Sequence, residues 1–456
     1  MKDWLRRSRR LPRPRLALTA CVLGLASALF AAGAVLLPPG GAQTPVSGPS
    51  GDGAPGDRRA DGGPGEAGDA AIRALQERLR RLPSDHTGWA ELGIRYVQRA
   101  QATADPQFYA KAEQALQRSR KLAGADDHLT AMGLGALAAA RHDFATALDH
   151  ARDAVHANPH HAPSYGVLSD AYLQLGRYDE AFEAVQTMVN LQPATPSLAR
   201  ASYTWELRGD TERASTLMRR ALDAAASGHD AVFTRHLLAV LALDDGRPRD
   251  ALAHAERGLR SAPDEPTLLT ARARAHAALG HEKQAVADYR AALARVPQPA
   301  SLLAFGELLE SLGRTEEAGE QYALFRTTTR LFRSAGVAPE AEAVLFEADH
   351  GDVQQALELG REAAGQRPFL TSLDAYAWAL HRAGRSAEAL AWSDRALELG
   401  TRSALFHYHR GMIHRANGNN AAARDDLTRA LAIDPHFHPL HAPRARAALD
   451  EIGPAS

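Results

Sequence analysis

Residues 162–193 read APSYGVLSDAYLQLGRYDEAFEAVQTMVNLQP, and the fold of the whole chain turns on the spacing within that stretch. Tyr165, Leu168 and Tyr172 recur at helical intervals, Gly176 and Tyr178 interrupt them, Ala181 starts a second apolar series, and Pro193 closes it. Glycine ends the first helix because a reversing residue often needs a left-handed backbone. Proline ends the second because it lacks an amide proton and restricts the residue before it. The stretch predicts two short helices folded back on each other.

The same signal recurs along the chain. Eight glycines are followed five residues later by alanine: Gly176, Gly209, Gly246, Gly280, Gly313, Gly351, Gly384 and Gly418, in steps of 33 to 38 residues. Prolines at 159, 193, 263, 297, 368 and 435 close successive copies. A supersecondary unit that recurs with its spacing makes an array of stacked pieces, not one globule around one active site. About ten units are expected, beginning near 86, 128, 162, 195, 232, 266, 299, 337, 370 and 404. Small residues such as Gly93, Gly306 and Gly411 let the two helices of a unit approach closely.

In the first unit Trp89, Leu92, Gly93 and Tyr96 fall at relative positions 4, 7, 8 and 11. With the alanine and proline markers, this resembles the tetratricopeptide repeat, a helix-turn-helix unit of 34 residues. The resemblance covers most of the chain beyond residue 70 and implies an all-α fold, an α-solenoid wound as a right-handed superhelix. The stretches at Ala375 to Leu380 and His409 to Ile413 also look like exported bacterial repeat proteins. Departures from the pattern are seven or so extra residues around Ala102 to Gln107, and His142 in place of a turn glycine. An extra stretch from Arg326 to Phe332 reads as a joint. The expected organisation is a first block over 70–325, a joint over 326–336, a second block over 337–436, and a closing helix and tail over 437–456.

The amino-terminal segment is different in kind. Lys2, Arg6, Arg7, Arg9, Arg10, Arg13 and Arg15 precede an uncharged run from Leu16 to Leu37. Such a run has the length of a membrane span more than of a cleavable signal, and the arginines would hold its start in the cytoplasm. Residues 1–37 are therefore expected to be a signal or a single anchor with the array outside the cytoplasm. Small residues near Ala32 to Ala34 and Gly40 to Ala42 suit cleavage and hence secretion. Leu18 to Cys21 resembles a lipobox, but Cys21 is followed by more apolar sequence and reads as part of an apolar helix. Residues 38–69 are rich in Pro, Gly, Ser, Ala and Asp and are expected to form a disordered linker.

Composition limits the chemistry. With 53 basic and 54 acidic residues there is no field to draw in nucleic acid. Gly133-Leu134-Gly135-Ala136-Leu137-Ala138 imitates a dinucleotide fingerprint inside a repeat helix, and His281-Glu282 lacks the second histidine of a zinc-protease motif. There is no P-loop, nucleophile elbow or cysteine pair, so neither catalysis nor a cofactor is expected. The 20 histidines are the one chemical surplus, and His436, His438 and His441 are candidate metal ligands. Their i, i+2, i+5 spacing does not place three rings on one helical face.

In similar repeat proteins the first helices line a concave wall read at unit positions 2, 5, 9 and 12. Here the resemblance implies Tyr203, Glu206, Phe233, His236, Arg274, Glu307, Glu310, Asp374, Trp378, His381, Tyr408, Met412 and Arg415. Their mix of aromatic and charged groups suits a protein or peptide segment. The lysine and asparagine set that clamps a terminal carboxylate in chaperone-binding members is absent. The expected function is a non-enzymatic scaffold for a protein partner. The alternatives are a metal-handling envelope protein and an accessory subunit of an envelope enzyme.

Overall fold

The structure, a computed structural model, describes residues 64–124 and 126–453. The expected anchor and most of the expected linker lie outside the described residues. Among those described, every regular element is a helix, and none is long and apolar enough to cross a membrane.

Helix α1 (Pro64–Arg81) leads, so residues 64–69, assigned to the linker on composition, are helical. Ten hairpins follow. Units one to five are α2 (His86–Thr103) with α3 (Gln107–Ala123), α4 (His128–Ala140) with α5 (Phe144–Ala157), α6 (Ala162–Gln174) with α7 (Tyr178–Leu191), α8 (Thr195–Leu207) with α9 (Thr211–Asp223), and α10 (Gly228–Asp244) with α11 (Pro248–Leu259). Units six to ten are α12 (Pro266–Ala278) with α13 (Glu282–Arg295), α14 (Pro299–Ser311) with α15 (Thr315–Ser334), α16 (Ala341–His350) with α17 (Val353–Gln366), α18 (Leu370–Arg382) with α19 (Ser386–Ala396), and α20 (Ala404–Ala416) with α21 (Asn420–Ile433). A closing helix, α22 (His441–Ile452), begins four residues later than the sequence suggests, because Pro435 and Pro439 keep the preceding segment out of helix.

The markers act as their chemistry requires. The motif alanines from Ala181 to Ala423 are all buried, since any larger side chain there would push the helices of a hairpin apart. A Cβ at Gly93 would lie 2.5 Å from Leu116 Cγ, and one at Gly411 would lie 2.8 Å from Leu427 Cγ. These small residues receive a large side chain of the second helix and, at Gly411, also face the backbone of its motif alanine, Ala423. Gly133, from the apparent dinucleotide motif, likewise accommodates Leu116 between α4 and α3.

The array winds back on itself. His142, in the turn of unit two, adopts φ +62° and sets its ring 3.3 Å from the Ala338 carbonyl oxygen and 3.0 Å from Glu340 Oε1. In unit three, Leu370 N–H donates to the Tyr178 hydroxyl at 3.1 Å. In units four and five, a Cβ at Gly209 would overlap the carbonyl oxygen of Gly400, and one at Gly246 would overlap that of Ile433. The turns of units two to five thus meet, in order, the junctions that follow units seven to ten. Gly280 and Gly313 have the same positive φ, yet nothing lies within 4 Å of where their Cβ would be.

This closure changes the meaning of the expected joint at 326–336. Helix α15 continues unbroken to Ser334, two residues short of the end of that stretch, and Phe332 and Val337 belong to one apolar cluster with Ile72, Leu79, Tyr96, Tyr109 and Leu116 of α1 and unit one. The additional turns of α15 reach back to the start of the array, so the stretch is a clamp between revolutions and not a separate joint.

Candidate functional site

Expected inner-wall residues fall into two regions. The first spans units four to six. Tyr203 and Glu206 come from α8, Asp244 ends α10, and Arg274 lies on α12, where its Nη2–H donates to Asp244 Oδ1 at 3.1 Å. Tyr203, Glu206 and Arg274 are half-buried. Glu206 has no side-chain hydrogen bond or ion pair to another described residue. Burial, and then the negative charge of Asp244, push its carboxyl up to about 8. The Tyr203 hydroxyl is raised well above its ordinary value by burial and next by Glu206.

Two residues expected on this wall are inside it. Phe233 is core, packed with Leu198, Met218 and Leu237 between successive hairpins. His236 is 2 % exposed and neither ring nitrogen has a hydrogen-bond partner. Burial, followed by the charge of Arg274, pulls its pKa down to about 4, so the ring is neutral at pH 7.

The second region spans units seven to ten and is closed by the segment before α22. Glu307 on α14 accepts from two histidines: Oε1 lies 3.3 Å from His350 Nε2, and Oε2 lies 3.1 Å from His438 Nε2. The other nitrogen of His350 lies 3.4 Å from Glu310 Oε2, which also accepts from the Tyr322 hydroxyl at 2.7 Å. A carboxylate faces each nitrogen of His350, which favours the protonated ring. Burial acts to lower its pKa, but the hydrogen bond and charge of Glu307 reverse this and leave it raised. Burial would raise Glu307, yet His438 and His350 hold its carboxyl down at about 2.

His441 opens α22 and places Nε2 3.3 Å from Asp349 Oδ2, which accepts from Trp378 Nε1–H at 3.0 Å. Nδ1 of His441 faces Arg444 Nη1 at 3.4 Å and so acts as acceptor. Burial, and then His438, lower His441 to about 4. Asp374 Oδ2 pairs with His409 Nδ1 at 2.8 Å, and the His409 ring stacks on Trp378 at 4.2 Å. Asp374, Trp378 and Tyr408 are at most 2 % exposed, which places them behind the wall surface. His381 faces Ser386 Oγ at 3.0 Å, and Arg415 pairs with Glu451 of α22.

The three candidate metal histidines do not converge. His438 and His441 turn to different carboxylates while His436 is exposed, and no group of three or more ligating side chains among the described residues could hold a metal ion. Asp349, His350 and Tyr322 are members of the network that positional reasoning missed. Asp349 and His350 sit just before the turn at Gly351, one and two places beyond the unit positions that mark the wall. A His-Gly pair after an acidic residue was the only available signal.

The sequence matches the tetratricopeptide repeat family over residues 138–202, 236–298 and 404–437. No curated protein matches the chain. Among solved structures, a thermophilic repeat protein of Thermus thermophilus is 22 % identical, with 42 % of this chain and 98 % of that one covered and a TM-score of 0.37. A tetratricopeptide repeat protein of Parabacteroides merdae is 18 % identical over 57 % of this chain and 98 % of its own, with a TM-score of 0.34. Human IFIT1, solved as a dimer with PPP-AAAA, is 12 % identical over 81 % and 94 %, with a TM-score of 0.44. Nothing about a ligand or partner follows from these likenesses.

Proposed function

Because the chain belongs to the tetratricopeptide-repeat family, we propose that it is a non-enzymatic scaffold that binds a protein partner on the wall of units four to six. Glu206 is the observation that carries this reading. A carboxyl with no partner among the described residues, beside the Tyr203 ring and Asp244, suits a partner segment that brings a hydrogen-bond donor or a cation. Pairing would relieve the cost of holding Glu206 in a half-buried place without an acceptor or donor of its own.

We further read the winding as right-handed, and residues 1–37 as a membrane anchor that holds the array at the outer face. That part of the reading rests on the basic start and the uncharged run from Leu16 to Leu37. Fractionation of cells tests it: recovery of the full chain among cytoplasmic proteins would exclude the anchor.

A photoreactive amino acid at position 203, with position 233 as a buried control, tests the partner site. A discrete crosslinked product is expected from Tyr203 and none from Phe233. Equal labelling at both positions, or none at Tyr203 in the native host, would remove this wall as the partner site.

A further inference from the structure

Residues 434–440 form an irregular strap, with prolines at 435 and 439, between the last hairpin and α22. A direct link would only need to turn the corner onto unit ten. Instead the strap crosses the wall, starting where Ile433 and Asp434 sit against Gly246 of unit five. Phe437 then packs on Tyr408 of unit ten with ring centroids 5.6 Å apart. His438 reaches Glu307 of unit seven at 3.1 Å, and His441 reaches Asp349 of unit eight at 3.3 Å. The strap lies across the array much as a bound segment would, with an aromatic anchor followed by polar donors.

The geometry fixes how the strap holds on. Nδ1 of His438 accepts from the backbone N–H groups of Leu440 and His441, at 3.2 and 3.3 Å. Only Nε2–H is left to donate, and it points at Glu307. The wall beneath is costly as a structural device, because buried carboxylates require donors while an apolar surface would need none. Behind it, Oδ1 of Asp374 and Nε2 of His409, both on residues at most 1 % exposed, have no hydrogen-bond partner.

We propose that the inner wall of units seven to ten is a segment-binding site, held in cis by residues 434–441, which accepts in trans a protein segment with an aromatic residue followed by a hydrogen-bond donor. The strap then acts as an intramolecular competitor: a partner binds with its intrinsic affinity reduced by the fraction of molecules in which the strap is seated. This rests on the scaffold reading only in taking the ligand to be protein. It concerns a different wall from Tyr203 and Glu206, so either site can fail without the other.

The test uses the full chain and a labelled peptide of residues 434–441, titrated to millimolar concentration, the effective concentration of a short tether. His438→Asp sets a carboxylate against Glu307 and should unseat the strap. The peptide is expected to bind this variant at least about tenfold tighter than wild type, and to lose that gain when Glu307→Gln is added. Amide exchange over 437–441 should rise in His438→Asp while the array keeps its helical signal. Three results would overturn the proposal: unchanged exchange in His438→Asp, raised exchange without a gain in peptide binding, or loss of helical signal in both His438→Asp and the milder His438→Gln.

Discussion

The walls of units four to six and of units seven to ten are made of the same kind of helix, yet they settle their charges in opposite ways. In the first, Glu206 has no partner among the described residues and its proton affinity rises to about 8. In the second, Glu307 takes two histidine donors and its proton affinity falls to about 2. Burial acts in the same direction on both carboxyls. The difference is supplied by residues from elsewhere in the chain, His350 of unit eight and His438 of the strap. A carboxyl on this side of a first helix therefore has no fixed electrostatic character until the neighbouring unit and the strap have brought their donors to it.

The largest expected effect comes from separating the revolutions. Gly246→Ala must place a side chain in a left-handed conformation and against the Ile433 carbonyl, so it should cost roughly 2–5 kcal/mol by thermal or denaturant unfolding. Gly280→Ala meets the first cost alone and should lose about 1 kcal/mol. Equal losses would show that the revolutions do not touch in solution.

Next in size is Glu307→Ala, which leaves the Nε2 sides of His350 and His438 without their carboxylate partner. A loss of about 2 kcal/mol at pH 7 is expected. The matching change in the open wall, Arg274→Ala, removes a solvent-facing pair and should cost under about 1 kcal/mol.

pH sharpens the comparison. The pKa of Glu307 is depressed in the fold, so its contribution is full above the ordinary carboxylate range and is lost as pH falls towards 2. Glu206 is raised, so its contribution is full below that range and is lost as pH climbs through about 8. Glu307→Gln should therefore be less stable than wild type at pH 7, with the gap narrowing near pH 3. Glu206→Gln should gain about 1 kcal/mol at pH 8 and little at pH 4. Parallel profiles would refute the contrast between the walls. The smallest expected effect is at the clamp: with Phe332 and Val337 buried against unit one, limited proteolysis should not single out residues 331–339, whereas preferential cleavage there would restore a joint.

Much of the hairpin order was legible because its signals are local. Gly176, Ala181 and Pro193 act on backbone within a few residues of themselves, and His142 could be recognised as standing in a glycine place because the next copies supplied the template. The closure was not legible. Gly246 and Gly280 begin the same motif, and only the winding of the whole array decides that a Cβ at one would meet Ile433 while a Cβ at the other would have nothing within 4 Å. The wall was partly legible: Glu307, Trp378 and Tyr408 were marked by unit position, but position alone cannot tell an open residue from one roofed by a later segment. Phe233 shows the same limit, since an aromatic on the inward side of a helix serves a seam between hairpins as readily as a partner.

The regular offset between turns and junctions also restricts how such a chain can change. In an open stack, one hairpin can be inserted or deleted at the cost of a single pair of neighbouring interfaces. Here an insertion between Gly246 and Val337 would move every later junction one place around the coil, so that His142, Tyr178, Gly209 and Gly246 would each face the wrong partner. The number of hairpins between those points is locked by the circumference, in the way that the teeth of two meshed gears fix each other's count.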